Sequence, residues 1–155
     1  MIVDLERNDL GRICRTGTVR VPHAARVHSY PTLHHLVSTV EGIVAEDVPT
    51  AEVIRATFPG GSITGAPKIR AMEIIDALEP NARGVYTGAL GLIDAAGDMH
   101  LSLAIRTAVT TGGRIYYGTG GGIVADSDAD AEYAESLLKA EGLLTALGAT
   151  FGNGN

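Results

Sequence analysis

Residues 85–119 read VYTGALGLIDAAGDMHLSLAIRTAVTTGGRIYYGT. Three strand-like runs stand in this stretch: Val85–Asp94, Met99–Thr110 and Arg114–Thr119. Ala95-Ala96-Gly97 and Thr111-Gly112-Gly113 separate them as hairpin turns, since glycine supplies the positive φ that short turns need. The expected unit is a three-stranded antiparallel meander. Helical patterns flank it. After FPGGSITG (58–65) a helix opens with Pro67 in its first turn. It carries Ala71, Ile74, Ile75 and Leu78 at i, i+3, i+4, i+7 as one expected buried stripe, and Glu79-Pro80 ends it. The acidic run ADSDADAE (125–132) opens a last helix reaching about Leu147. Upstream, Met1–Leu10 reads as a helix stopped at Gly11, and Thr18–Pro22, Arg26–Tyr30 and Leu36–Val44 as short strands. Thr50–Phe58 reads as a helix with Thr50 as N-cap. The fold class is α+β, antiparallel sheet with helices packed outside. An open meander leaves edges and faces that need cover, so a larger sheet structure is expected around it.

The chain has 155 residues, enough for one domain. Hydrophobic residues make up 45% and charged residues 19%, which gives the material for a core and excludes a disordered chain. Twelve Lys+Arg against 18 Asp+Glu leave a net charge of −6, against a general nucleic-acid binder that must neutralise phosphates. The 20 glycines are nearly twice the average share of about 7% and lie outside any low-complexity tract. They should mark turns or places where backbone meets a ligand. Cys14 is the single cysteine, so neither an internal disulfide nor a cysteine metal cluster can form. The first twenty residues lack the apolar core of a signal peptide, and no run is long enough to span a bilayer. The expected location is the cytoplasm, with no membrane partner.

Several residues invite chemistry. In the middle run, Arg106 shares a strand face with His100, Ser102, Ala104 and Ala108, a lone guanidinium among small side chains. Its fork suits a carboxylate ligand, or it reaches solvent or a structural aspartate. Tyr86 and Gly88 share a face of the first run, and Gly120-Gly121-Gly122 follow the third, where unobstructed amides suit an anion or a plain flexible turn. Glu132, Glu135 and Lys139 form a polar stripe at i, i+3, i+7 opposite Ala134, Leu137, Leu138 and Leu144. Such a stripe is a solvated face or a pair of oxygen ligands for Mg²⁺. Asp126, Asp128 and Asp130 imitate an EF-hand start, but Ala131 and Leu137 stand where glycine and glutamate are required. Gly60-x-x-x-x-Gly65 imitates a phosphate loop, but Ala66 stands where lysine is required. Its hydroxyls and amides suit a carboxylate instead. Five scattered histidines have no zinc spacing; of the adjacent His34 and His35, one could enter a pocket as acid or base, the commoner alternative being a core or surface histidine.

Taken together, Asp4-Leu5-Glu6-Arg7-Asn8-Asp9-Leu10-Gly11-Arg12, His35-Leu36-Val37-Ser38, FPGGSITGAPKIRAMEII, Ala104-Ile105-Arg106-Thr107 and GGGIVADSD resemble the C-terminal part of the chorismate-binding enzymes. The resemblance runs in order, without large gaps, to about Leu147. Within the family the chain is most similar to component I of aminodeoxychorismate synthase. FPGGSITGAPK stands where anthranilate synthases tend to have FPAGTVSGAPK, and Tyr86-Thr87-Gly88, Gly120-Gly121-Gly122 and the run Tyr30–His35 lean the same way.

The resemblance implies part of an α/β sandwich of two facing antiparallel sheets, with residues 1–148 its C-terminal portion and 149–155 a flexible tail. It implies that Arg106 and Tyr86 hold the enolpyruvyl carboxylate of chorismate, with amides from Gly120 to Gly122. Glu135 would bind Mg²⁺ directly and Glu132 directly or through water, with Lys139 near the same anionic region. His35 matches the active-site histidine and Ser62 a hydroxyl of the binding loop. The implied reaction is amination of chorismate to 4-amino-4-deoxychorismate for folate synthesis, with ammonia from a glutamine amidotransferase partner. Anthranilate synthase and a non-catalytic binding or assembly module are the alternatives. Family members are much longer and carry, upstream, a further metal-binding glutamate and, in the aminodeoxychorismate synthases, a Pro-Ile-Lys-Gly-Thr segment with a nucleophilic lysine. The expectation is that this chain does not turn over chorismate by itself.

Overall fold

The computed structural model describes residues 1–30 and 34–149. Pro31, Thr32 and Leu33 of the Tyr30–His35 run, and the tail beyond Ala149, lie outside them. The chain forms two compact units, Met1–Pro80 and Asn81 onward.

The first unit opens with α1 (Ile2–Gly11), followed by an antiparallel pair, β1 (Arg20–Ser29) and β2 (His34–Glu41). The two short strands expected at 18–22 and 26–30 are one continuous strand. Its register steps from Arg26↔Val37 to His23↔Thr39 and then to Arg20↔Glu41, each step leaving one extra residue on β1. Ala25 sits at φ +50 inside the first bulge and donates its N–H to Ser38 Oγ at 2.9 Å. A bulge takes up the extra residue by bending the strand locally while pairing resumes on either side, which is why the periodicity broke there.

Then come α2 (Thr50–Thr57), a single turn α3 (Gly61–Thr64) and α4 (Lys68–Leu78). Pro49 and Pro67 occupy the N-cap positions of α2 and α4, so Thr50 is the first helical residue and Pro67 lies just outside its helix. The turn α3 falls where only a loop was expected. The stripe Ala71–Leu78 is not buried: Leu78 is 76% exposed, because α4 packs on the single turn α3, which is too short to cover it. The buried positions of this unit are Ile13, Ala56, Gly60, Gly61 and the charged Asp9.

In the second unit β3 (Ala89–Ile93) pairs with β4 (Met99–Leu103), and β5 (Ala108–Thr111) with β6 (Arg114–Tyr117). Both turns have the expected residues. Asp94 Oδ1 accepts the N–H groups of Ala96 and Asp98 at 2.9 Å, and Gly97 takes φ +93. Gly112 and Gly113 both take positive φ, the condition for a two-residue hairpin matched to strand twist. The meander itself is corrected: these are two separate two-stranded sheets. The middle run breaks at Ala104–Thr107, where Arg106 has φ +52, so Arg106 does not share a strand face with His100 and Ser102. Helix α5 (Ala129–Ala146) is capped by Asp128, whose carboxylate accepts the Ala131 N–H at 2.9 Å. The α+β class stands, and apolar side chains on β3, such as Leu90 and Leu92, remain exposed.

Candidate active site

The site residues of the second unit are assembled by the break in the middle run. Ala104, buried at 2% exposure, donates its N–H to Gly88 O at 2.8 Å and accepts that of Thr87 at 2.9 Å. This clasp ties Tyr86-Thr87-Gly88 to Ala104-Ile105-Arg106. Thr87 (φ +62) and Arg106 (φ +52) both sit in the left-handed region, which costs a side-chain-bearing residue about 1–2 kcal/mol. Two such outliers side by side indicate a site that surrounding structure holds in place.

Arg106 Nη1 donates to the main-chain oxygen of Lys139 at 3.2 Å, and Tyr117 OH reaches the same oxygen at 3.4 Å. The guanidinium is otherwise exposed, with its remaining donors available to a ligand. Lys139 Nζ donates to Gly120 O at 2.9 Å and pairs with Glu135 Oε1 at 2.6 Å. Tyr86 lays its ring directly on Gly118, where any Cβ would overlap the ring carbons, and its hydroxyl lies 3.1 Å from the place of a Cβ on Gly120. On the other side, a Cβ on Gly121 would stand 2.9 Å from Glu132 Oε2. Close approach of the ring therefore requires glycine at 118, while Gly120 and Gly121 approach only the ends of the Tyr86 and Glu132 side chains, and the run passes between an aromatic ring and α5. Gly122 meets nothing and is exposed.

The polar stripe of α5 is divided between two environments. Glu132 and Lys139 are half-buried, as are Leu137 and Leu144 of the other side, whereas Glu135, Ala134 and Leu138 are exposed. Glu132 Oε1 accepts from Ser127 Oγ at 2.6 Å, while Ser127 Oγ accepts the Val124 N–H at 3.1 Å. A cavity of about 430 Å³ opens here, lined by Thr119, Gly120, Gly121, Ser127, Glu132 and Ser136 among others. Tyr86 and Lys139 adjoin its lining at Gly120, and Arg106 and Glu135 contact Lys139 in turn. Ser127 and Tyr117 were not singled out in the sequence; the serine carried a signal as a hydroxyl in the capping segment of α5, and the tyrosine carried none.

Glu132 and Glu135, at i and i+3, offer the hard oxygen donors that Mg²⁺ takes, and each keeps one carboxylate oxygen outside the contacts just described. Among the described residues no group of three His, Cys, Asp or Glu converges. Two carboxylates fit an ion that fills its other positions with water and substrate.

The hydrogen bond from Lys139, and then its charge, hold the Glu135 carboxyl below its usual value of 4.5. A depressed carboxyl keeps its pairing above the ordinary value and loses it only as pH falls through the lower one. A carbon-detected NMR titration should place the Glu135 midpoint below 4.5, moving back up in Lys139→Met. An unmoved midpoint in that variant would exclude the pairing.

Two predicted residues belong to the first unit. His35 is exposed on β2, opposite His28 in register and edge-on to the Tyr30 ring at 5.9 Å. Ser62 lies in α3 and donates its hydroxyl to Glu6 Oε1 at 2.6 Å, so its hydrogen is committed and its oxygen faces other groups as an acceptor. A second cavity, about 590 Å³, is lined by Asn8, Asp9, Arg12, Gly61, Gly65 and Lys68 among others.

A family model described as "chorismate binding enzyme" matches residues 1–145. Aminodeoxychorismate synthase component 1 of Escherichia coli K12 is 49% identical over 147 residues, covering 95% of this chain and 32% of the relative. Anthranilate synthase component 1 of Mycolicibacterium smegmatis is 48% identical over 149 residues, covering 96% and 28%. The crystal structure of anthranilate synthase component I from Streptococcus pneumoniae TIGR4 superimposes with TM-score 0.82 at 45% identity, over 91% of this chain and 32% of that one. The chain thus spans about a third of the length of these proteins.

Proposed function

Because the chain belongs to the chorismate-binding enzyme family, we propose that it carries the C-terminal part of an aminodeoxychorismate synthase site. That site replaces the C4 hydroxyl of chorismate by ammonia to give 4-amino-4-deoxychorismate. The observation that supports this reading best is the contact chain Arg106–Lys139–Glu135, with Lys139 also on Gly120 and Tyr86 on the glycine run. Together with Glu132 beside Gly121, these contacts link a guanidinium, an ammonium and two carboxylates through Lys139 and the glycine run, the kinds of group a dicarboxylate substrate and a divalent ion take. Arg106 would take the enolpyruvyl carboxylate with its free donors, Tyr86 would border it, and the amides of Gly120, Gly121 and Gly122 would add dipoles. Mg²⁺, held by Glu135 and Glu132, would supply charge stabilisation as the hydroxyl leaves. Ser127 would orient Glu132. Lys139 would leave Glu135 for a substrate carboxylate. His35 is retained as an acid–base candidate. Ammonia would come from a glutamine amidotransferase partner, and the product would serve 4-aminobenzoate and folate synthesis in the cytoplasm. Among the described residues no helix is long and apolar enough to cross a membrane.

Anthranilate synthase is the second reading, favoured by relatives of almost equal identity; it would use the same pocket and add pyruvate elimination. The product decides between them. Fused behind the preceding part of the E. coli relative and supplied with chorismate, ammonia and Mg²⁺, the chain should yield 4-amino-4-deoxychorismate, and Glu135→Ala should remove the activity. Anthranilate as product would establish the second reading. A folded fusion that binds chorismate but releases neither product would leave a binding module.

Lys139→Met gives a further expected outcome, of opposite signs. Removing the ammonium from Glu135 should tighten Mn²⁺ or Mg²⁺ binding by about two- to threefold, the scale of an exposed helical ion pair. It should weaken chorismate binding by about tenfold, the loss of one charge-assisted contact. Calorimetric titration measures both; parallel changes would refute the exchange of partners assigned to Lys139.

A further inference from the structure

Asp9 is the buried charged side chain among the described residues, 2% exposed, and the site described above does not use it. Its Oδ2 accepts the Gly61 N–H at 2.7 Å and its Oδ1 meets Lys68 Nζ at 2.8 Å. Lys68 in turn donates to Ala56 O at 3.2 Å. One carboxylate and one ammonium thus join α1, α2, the first residue of α3 and the first residue of α4. One turn earlier on the same face of α1, Glu6 accepts the Ser62 hydroxyl. The approach is at backbone distance: a Cβ on Gly61 would stand 3.2 Å from Leu5 Cβ and 3.3 Å from Asp9 Oδ2. The pair also forms part of the wall of the 590 Å³ cavity.

A buried ion pair is a poor means of gaining stability, because desolvation offsets most of the Coulomb attraction and apolar side chains of like volume do as well or better. Its particular capability is to accept only one arrangement. We infer that Asp9 is a positioning residue: through Gly61 and Lys68 it sets the register of segment 60–68 on α1, and so fixes where the Ser62 hydroxyl meets Glu6. The connection to substrate rests on the reading proposed above; the setting of the segment does not.

The test is hydrogen exchange, followed by mass spectrometry on the full chain, beside thermal melting. Lys68→Met strands the Asp9 carboxylate; it should lower the melting temperature and speed exchange of the 60–65 amides by about tenfold or more. Asp9→Leu combined with Lys68→Met removes both charges. Melting should recover, while the 60–65 amides stay fast and peptides from β5, β6 and α5 exchange as in the parent. Recovery of protection together with melting would overturn the inference and leave ordinary packing. Unchanged protection in Lys68→Met would overturn it as well. Where that variant does not fold, Asp9→Glu keeps both charges and shifts the carboxylate by one methylene; faster 60–65 exchange at unaltered melting supports positioning, and unaltered exchange refutes it. Chorismate titration of the same variants separates the two readings. Fast segment exchange with unchanged chorismate affinity would remove Ser62 from the substrate pocket and leave the role of Asp9 intact.

Discussion

Arg106→Met is expected to weaken chorismate binding by about 100-fold, near 2.7 kcal/mol, with the fold retained. A guanidinium donates two parallel charge-assisted hydrogen bonds to a carboxylate, together worth about 2.5–3 kcal/mol at an exposed site, and methionine keeps only the stem. Arg106→Lys keeps the charge but not the fork, and should recover about tenfold of that loss. The backbone supplies a second signature. Arg106 lies at φ +52, where glycine is at ease, so Arg106→Gly should bind as poorly as the methionine variant without any loss of urea resistance. Loss of affinity with undiminished stability marks a residue retained for its side chain in spite of its backbone. Titration of chorismate with Mg²⁺, beside urea unfolding, reads both quantities, and an affinity unchanged in all three variants would remove Arg106 from the site.

Gly118→Val should destabilise the chain by about 3 kcal/mol and weaken chorismate binding at least tenfold. The Tyr86 ring occupies the space that a side chain at 118 would need, so ring or strand must move. Moving the ring takes Tyr86 off the glycine run; moving the strand shifts Gly120 away from Lys139 Nζ, now 2.9 Å distant. The expected interaction is strongly non-additive. Tyr86→Ala combined with Gly118→Val should recover most of the lost stability, since valine then fills the vacated space, but not the binding. A double variant as unstable as the sum of its parts would show that the ring does not rest on Gly118.

Both variants act at points where the sequence and the folded chain stand in different relations. The glycine run was legible as a place of turn or close approach; Tyr86 and Glu132 are the groups that approach Gly120 and Gly121, while nothing approaches Gly122. Arg106 was legible as a residue but not in its setting. Ala104-Ile105-Arg106-Thr107 continues the alternation of a strand, and nothing in that pattern announces a positive φ. The break becomes necessary only because Gly88 and Thr87 bind both polar groups of Ala104, a contact between residues distant in sequence. The spacing of the stripe on α5 is legible and its environment is not: Glu132 and Lys139 are half-buried while Glu135 is exposed, a division that only packing makes.

What the sequence determined by itself is local. The Asp128 cap, the Gly112-Gly113 turn and the Asp94 turn each close within a few residues, where side-chain chemistry and φ preference leave one economical conformation. The family motifs belong to the same level, since they are order and spacing along one chain. Tertiary structure alone decided the pairing of Asp9 with Gly61, 52 residues away, and of Glu6 with Ser62, 56 away. It also decided the strand break at Arg106 and the exposure of the α4 stripe. Those outcomes depend on which surfaces meet. A carboxylate on an amphipathic helix reads the same whether it faces water or an ammonium, until packing removes the water.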